Sequence, residues 1–168
     1  EYLPAELVPE IPLIMKNSIV DVRCKDTKGR QFIVEMQMLW TDSFKSRVLF
    51  NASKAYVRQL DKGIEYKGLQ PVYALSIVNE NFEKDMPDWY HHYKIVHVGD
   101  NNKVLDGLQL IFVELPKFRA ISFHQKKLSS LWLRYLLELE NYTEMISKDL
   151  LEVPEIAQAI ELTKESSY

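Results

Sequence analysis

The residues with the most distinctive chemistry lie between positions 18 and 39, where alternating apolar and polar residues on both sides of a tight turn predict a β-hairpin. Gly29 stands where a three-residue loop needs a left-handed residue. The resulting register places Asp21 directly opposite Glu35. Because strand side chains repeat every two residues, Gln37 points to the same side as Glu35.

Two directly opposed carboxylates have Cβ atoms about 5 Å apart and repel each other. Protonation of one carboxylate or a cation between the two would relieve this repulsion. Hard oxygen ligands at this separation suit Mg²⁺. The alternative is a solvated hairpin face whose acids keep it soluble. Both interpretations stay open, since a register shift of one residue would separate Asp21 from Glu35.

The opposite face of the predicted hairpin is apolar throughout, and we expect it to belong to the core. Its cross-strand pairs are Val20 with Met36, Val22 with Val34, and Cys24 with Phe32. The register also places Arg23 opposite Ile33, on the same face as the two carboxylates.

A longer pattern carries a family resemblance. The segments KNSIVDVRCKDTKGRQFIVEMQ and FKSRVLFNASKAYVRQLDKGIEYKGLQPVYALSIV, within residues 16–78, resemble the PD-(D/E)XK nuclease superfamily. They are most similar to its branch of recombination-promoting nucleases and transposases. The later segments ELPKF and LWLRYLL are similar to the same branch. The resemblance implies an α/β fold, a restriction-endonuclease-like core with a mixed β-sheet flanked by helices, plus a helical C-terminal extension.

The resemblance also implies a function, the Mg²⁺-dependent hydrolysis of DNA phosphodiester bonds, with Mn²⁺ as an alternative ion. Asp21 and Glu35 would bind the metal with help from the Met36 backbone carbonyl. Gln37 stands where the wider superfamily has a catalytic lysine, although this branch commonly has glutamine there. Since glutamine carries no charge, the alternative is a weak or inactive DNA-binding module that keeps the nuclease fold.

Length and composition are those of an ordinary globular domain. The chain has 168 residues, a formal net charge of −3 and an isoelectric point near 5.9. A DNA-binding surface must therefore be local, because the protein as a whole is not basic. The single cysteine, Cys24, excludes an internal disulfide and a cysteine-rich zinc site. No segment has the length and apolarity of a membrane helix, so we expect a cytoplasmic protein. The sequence leaves the oligomeric state open, with a homodimer as one option.

The resemblance implies a nuclease-like core over residues 1–125, lacking an upstream helix, and a helical extension of the same domain over 126–168. Prolines at positions 4, 9 and 12 predict an extended connector at the start.

An amphipathic helix is expected after the hairpin, capped by Thr41 or Asp42 and ending near Gly63. Its polar positions carry a basic set, which is either a solvated surface or a stripe that contacts DNA phosphates. This set comprises Lys45, Arg47, Lys54 and Arg58. Three positions, Arg47, Gln59 and Tyr66, match the family pattern, and the sequence does not say whether they face substrate or core.

The pattern of the remaining residues predicts one buried strand, a hairpin and three helices. The apolar run 70–78 suits a strand covered on both faces and parallel to the Glu35 strand. Residues 79–92 are predicted to form a loop with surface histidines. Residues 93–98 and 108–115 are predicted to pair as the two strands of a hairpin. Helices are expected from residue 126, over 144–150, and from Pro154, which fits a first turn.

Overall fold

The computed structural model describes residues 1–3, 6–7, 18–19, 22–37, 39–60, 65–118, 128–140 and 147–165. It divides into two compact units, Glu1–Lys117 and Phe118–Tyr168. The expected boundary between residues 125 and 126 lies outside the described residues. At the start of the first unit, two short strands, β1 (Glu6–Leu7) and β2 (Ser18–Ile19), pair antiparallel.

The hairpin of strands β3 (Val22–Lys25) and β4 (Gln31–Gln37) forms in the predicted register, with Arg23 opposite Ile33. Gly29 has a φ of 83°, a conformation that L side chains rarely adopt. The Asp26 carboxylate accepts hydrogen bonds from the backbone amides of Lys28 and Arg30, both at 2.9 Å, which closes the turn. The three-residue loop therefore sets the pairing of every residue beyond it.

A five-stranded sheet forms the centre of the first unit, with the strands in the order β3-β4-β5-β7-β6. The members not yet named are β5 (Val72–Val78), β6 (Tyr90–His97) and β7 (Asp100–Glu114). Strand β5 is parallel to both β4 and β7, and the outer pairs are antiparallel. The sheet is therefore mixed, and β5 is parallel to β4 as expected.

Helix α1 (Phe44–Val57) connects β4 to β5 and packs on the sheet. It begins after Ser43, slightly later than the expected caps at Thr41 or Asp42. Its apolar side chains form the core together with residues of three strands. That core contains Ile33, Phe44, Val48, Ala52, Ala55, Val72, Ala74, Val78 and Phe112. At its end, the Gln59 carboxamide exchanges two hydrogen bonds with the Gln70 backbone, at 2.8 and 2.9 Å, so Gln59 joins the helix to the start of β5.

The expectation that the all-apolar hairpin face is core was wrong. Val22 is 39% exposed and Met36 47%, whereas Ile33 and Glu35 on the other face are 1% and 7% exposed. The reason is the position of α1, whose apolar side chains pack with Ile33. Alternation separates the two faces of a hairpin, but the helix decides which of them is covered.

Strand β6 begins at Tyr90, so the predicted loop over residues 79–92 ends earlier than expected. His91 is buried, and the prediction that it lies on the surface was wrong, while the neighbouring His92 is exposed. The alternation of strand side chains places two adjacent histidines on opposite faces. One therefore points into the protein and the other to solvent.

A buried carboxylate anchors the segment between β5 and β6. Glu114, at the end of β7, is fully buried, and its Oε1 accepts hydrogen bonds from the backbone amides of Phe82 at 2.9 Å and Glu83 at 2.7 Å. Lys117, in a short 3₁₀ turn (Leu115–Lys117), forms an ion pair with the other oxygen. This pairing supplies the counter-charge that a buried carboxylate requires.

The second unit contains helices α2 (Leu128–Glu140), α3 (Lys148–Leu151) and α4 (Pro154–Glu165). Pro154 opens α4, as predicted from its missing amide hydrogen. The small core of this unit consists of Tyr135, Leu150, Ile156 and Ile160. The buried Arg134 forms an ion pair with Asp149 at 2.5 Å.

Across the described residues of both units, no helix combines the length and apolarity needed to cross a membrane.

Candidate active site

Glu35 is a buried carboxylate near the end of the second strand of the sheet. It lies on β4, its residue is 7% exposed, and its register partner on the parallel strand β5 is Ser76. The side chain faces α1, because Ile33, two residues earlier on the same side of β4, packs with that helix. An acidic side chain in such a position needs polar partners.

Helix α1 supplies one of those partners through Asn51. The Asn51 Nδ2 donates a 2.8 Å hydrogen bond to Glu35 Oε1. Asn51 is 1% exposed and occupies the buried stripe of the helix between Val48 and Ala52. The hydrogen bond fixes the carboxylate against the helix, since both side chains are packed in the interior.

Arg47, one turn before Asn51 on α1, forms the second contact. Its Nη2 donates a 2.7 Å hydrogen bond to Gln37 Oε1 and lies 3.9 Å from Glu35 Oε2. Its guanidinium carbon lies 4.8 Å from the centre of the Phe44 ring, and its side chain is 50% exposed. Gln37 is oriented further by its Nε2, which donates to the Leu39 carbonyl at 2.7 Å. A positive charge therefore lies between the buried carboxylate, the glutamine and solvent.

Two further buried oxygens have no hydrogen-bond partner among the described residues. They are Asn51 Oδ1 and the hydroxyl oxygen of Ser76, on residues that are each 1% exposed. Buried polar atoms are normally paired, so unpaired ones indicate a binding or strained site. Asn51 is the residue that is hydrogen-bonded to Glu35, and Ser76 is the register partner of Glu35. Both unpaired oxygens therefore belong to residues next to this carboxylate.

Asp21 lies outside the described residues, and the observed ladder of the hairpin ends at the pair Val22–Val34. The predicted pairing of Asp21 with Glu35 therefore stays a prediction, although the pairs from Val22 to Lys25 follow its register. Met36 belongs to β4, and its side chain is partly exposed on the face away from α1.

The basic residues predicted to contact DNA have different surroundings. Lys45 forms an ion pair with Glu83, and its Nζ lies 5.1 Å from the centre of the Phe82 ring and 5.6 Å from that of Trp40. Arg47 contacts Gln37 as described above. Lys45 is thus engaged with the segment after β5, and Arg47 is the member of the set that reaches Glu35.

The two remaining basic residues lie further along α1. The Lys54 ammonium is 5.2 Å from the centre of the Phe50 ring. Burial, and secondly the positive charge of Arg58, lower the pKa of Lys54. Lys54 and Arg58 are thus close enough to repel each other.

The donor set fits a hard divalent cation, the ion that the resemblance implies. It combines a carboxylate with an unpaired amide oxygen and an unpaired hydroxyl oxygen, all of the type that Mg²⁺ prefers. No group of three or more His, Cys, Asp or Glu side chains that could hold a metal occurs among the described residues. Any ion at this site would therefore rely on Glu35 together with neutral oxygens or with Asp21.

Asn51 and Ser76 were not among the residues selected from the sequence. Each is a polar residue within an apolar pattern, Asn51 in the stripe of α1 and Ser76 in the run VYALSIV. That irregularity is the signal that could have identified them. Asparagine and serine are nevertheless common in helices and strands, so only their shared proximity to Glu35 makes them informative.

Comparison with known proteins gives one match. A family model described as PD-(D/E)XK nuclease family transposase matches residues 1–168. No curated protein matches the chain, and no solved structure does.

Proposed function

Because the chain belongs to the PD-(D/E)XK nuclease family transposases, we propose that it hydrolyses DNA phosphodiester bonds in a Mg²⁺-dependent reaction centred on Glu35. The observation that carries this proposal is the buried Glu35 carboxylate, held by Asn51 and approached by Arg47. A carboxylate, a guanidinium and unpaired oxygens at one point of a sheet are suited to a charged substrate. DNA is the substrate that the family implies.

Asp21 and Glu35, with the Met36 carbonyl, would hold the metal. An ion held there would supply polarisation of the phosphate and a lowered pKa for the attacking water. Asn51 keeps Glu35 Oε1 in place through its hydrogen bond, which leaves Oε2 as the oxygen nearer to Arg47. In this proposal Mn²⁺ can replace Mg²⁺.

Gln37 and Arg47 share the role that a lysine has in the wider superfamily. Gln37 orients the water or a phosphate oxygen, but it carries no charge. Arg47, hydrogen-bonded to Gln37 at 2.7 Å, supplies a fixed positive charge at nearly the same place. Guanidinium groups stabilise the charge that develops on a phosphoryl group during transfer. Arg47 on helix α1 therefore provides the positive charge that the lysine provides in the wider superfamily.

Nicking of supercoiled plasmid by the full-length protein in Mg²⁺ or Mn²⁺ tests the proposal. We expect wild type to nick the plasmid, Glu35→Ala to be inactive, and Gln37→Ala to retain measurable activity. Ser46→Ala, at an exposed position of α1, is the matched control and should nick at the wild-type rate. Loss of nicking in a normally folded Glu35→Ala variant would identify Glu35 as essential for cleavage.

The second candidate is a DNA-binding or regulatory module that keeps the fold without cleavage. The neutral Gln37 and the net charge of −3 favour it. It becomes the better description if wild type binds DNA but leaves the plasmid intact with either metal. We further propose a role in transposition or recombination, which depends on the first candidate, and a cytoplasmic location, which does not depend on cleavage.

A further inference from the structure

The Gln37 carboxamide is held at both of its ends. Its Oε1 accepts the 2.7 Å hydrogen bond from Arg47, and its Nε2 donates to the Leu39 carbonyl, also at 2.7 Å. Exchanging the two ends would place the amide donors of Gln37 against the Arg47 guanidinium, which has donors only. The Leu39 carbonyl and Arg47 therefore select one of the two orientations of Gln37.

The peptide unit that contains this carbonyl is held by a residue far along the chain. The Leu39 carbonyl and the Trp40 N–H belong to one planar trans unit, in which they point in opposite directions. The Trp40 N–H donates a 2.6 Å hydrogen bond to Glu80 Oε2, on the segment that follows β5. Hydrogen bonds to an ionised acceptor are stronger than those between neutral groups. Glu80 thus fixes the direction of the Trp40 N–H, and with it that of the Leu39 carbonyl.

Ring packing keeps the two segments together around this peptide unit. The Trp40 ring stacks on the Phe82 ring, with centroids 4.0 Å apart and planes inclined by 7°. It also meets the Phe44 ring edge-on, with centroids 5.4 Å apart. The backbone amide of Phe82 donates to the buried Glu114 carboxylate. The segment that carries Glu80 is therefore anchored to the sheet two residues later.

We propose that Glu80 is a positioning residue of the candidate active site, because it sets the Leu39–Trp40 peptide unit and through it the Gln37 carboxamide. This inference rests on the proposed function, in which Gln37 orients the water or a phosphate oxygen. Glu80 is exposed, so replacing it leaves the core intact. Its effect on the reaction passes through Gln37.

The first experiment follows the Gln37 carboxamide and requires no cleavage. Nitrogen–hydrogen correlation NMR spectra of the full chain are recorded in EDTA, and the side-chain amide signals of Gln37 are identified by their loss in Gln37→Ala. We expect these signals to shift in Glu80→Ala and to stay near their wild-type positions in Glu80→Gln, which keeps a carbonyl oxygen as acceptor. Asp85→Ala, which removes one negative charge from an exposed position of the same segment, is the matched control and should not shift them.

A double-mutant cycle of plasmid nicking distinguishes positioning through Gln37 from a general effect on the fold. Glu80→Ala should nick roughly 10- to 100-fold more slowly than wild type, as expected when a group at the reacting centre is slightly misplaced. Glu80→Gln should recover most of the rate. In the Gln37→Ala background, Glu80→Ala should change the rate little, because the group that Glu80 orients is then absent.

Three results overturn the inference. The first is a reduction by Glu80→Ala that is equally large with and without Gln37, since Glu80 then acts independently of it. The second is a wild-type nicking rate in Glu80→Ala. The third is an unchanged position of the Gln37 side-chain signals in Glu80→Ala.

Failure of this inference can be distinguished from failure of the proposed function. Wild type that nicks plasmid while the Gln37 signals do not move in Glu80→Ala retains the nuclease proposal and removes the role of Glu80. Shifted Gln37 signals in Glu80→Ala together with plasmid left intact by wild type retain the link from Glu80 to Gln37 and remove the nuclease proposal.

Discussion

The Asn51 carboxamide on helix α1 donates a 2.8 Å hydrogen bond to Glu35 Oε1 on strand β4. The two residues are 16 positions apart in the chain and nearly inaccessible to solvent. The bond joins the helix to the sheet at a polar point inside an otherwise apolar core. A buried carboxylate retained there at the cost of desolvation is more consistent with a binding function than with stability alone.

Replacing Asn51 should therefore affect both stability and activity. Asn51→Ala leaves Glu35 Oε1 without its donor, which costs about 1–3 kcal/mol of unfolding free energy. We expect a lower urea midpoint and slower plasmid nicking, with a higher Mg²⁺ concentration needed for half-maximal rate. Ser46→Ala on the exposed side of the helix is the control for helix propensity. Wild-type nicking by Asn51→Ala would show that Glu35 does not need this support.

Moving the positive charge from Arg47 to position 37 tests whether Arg47 compensates for the missing lysine. Arg47→Gln should reduce nicking by roughly 10²–10³-fold, the usual cost of one charge-stabilising donor. Gln37→Lys alone should change little, because the new ammonium lies beside Arg47 and repels it. The double variant should recover activity well above Arg47→Gln.

Nicking rates of the four proteins give the coupling between the two positions. If Gln37→Lys fails to raise the activity of Arg47→Gln, the two residues do not share one role. Arg47→Lys is the matched control, since it keeps the charge and loses the paired donors.

Binding of Mg²⁺ should be visible as thermal stabilisation, without reference to cleavage. A ligand that binds only the folded protein adds about 2.7 kcal/mol at a concentration 100 times its dissociation constant. Asp21→Asn should abolish this response and raise the melting temperature in EDTA, because it relieves the predicted repulsion from Glu35. Scanning fluorimetry with and without Mg²⁺ measures both effects. A full Mg²⁺ response in Asp21→Asn would show that Asp21 is not a ligand of the ion.

Acid should weaken the ion pair between Lys45 and Glu83. The hydrogen bond from Lys45, followed by that from Tyr93, lowers the pKa of the Glu83 carboxyl below its ordinary value of 4.5. The pair thus contributes fully above pH 4.5, and its contribution is lost as the pH falls through the lowered pKa. Since the Lys45 side chain is 40% exposed, we expect roughly 1 kcal/mol at pH 7.

Melting temperatures of wild type and Glu83→Gln between pH 7 and pH 3 check this direction. The variant should be less stable at pH 7, and the difference should shrink below pH 4.5. Asp85→Asn, an exposed position of the same segment, serves as the control. A difference that grows on acidification would contradict the assigned sign.

The sequence by itself determined the features that depend on neighbours in the chain. Gly29 and the short loop set the register of the β3–β4 hairpin, because a turn of defined length leaves one pairing for the residues beyond it. Apolar periodicity located α1, and the nearly continuous apolar run 70–78 indicated the buried parallel strand β5. The PD-(D/E)XK pattern rests on the same local segments, and the family match covers them.

Only the tertiary structure decided which face of the hairpin is covered and which polar residues meet there. Periodicity separates two faces but does not say where a helix will pack, so the apolar face with Val22 and Met36 was wrongly assigned to the core. Asn51, Ser76 and Arg47 come together near Glu35 because α1 and β5 are adjacent to β4 in space. Long-range contacts of this kind depend on packing between elements, and no spacing along a single chain encodes them.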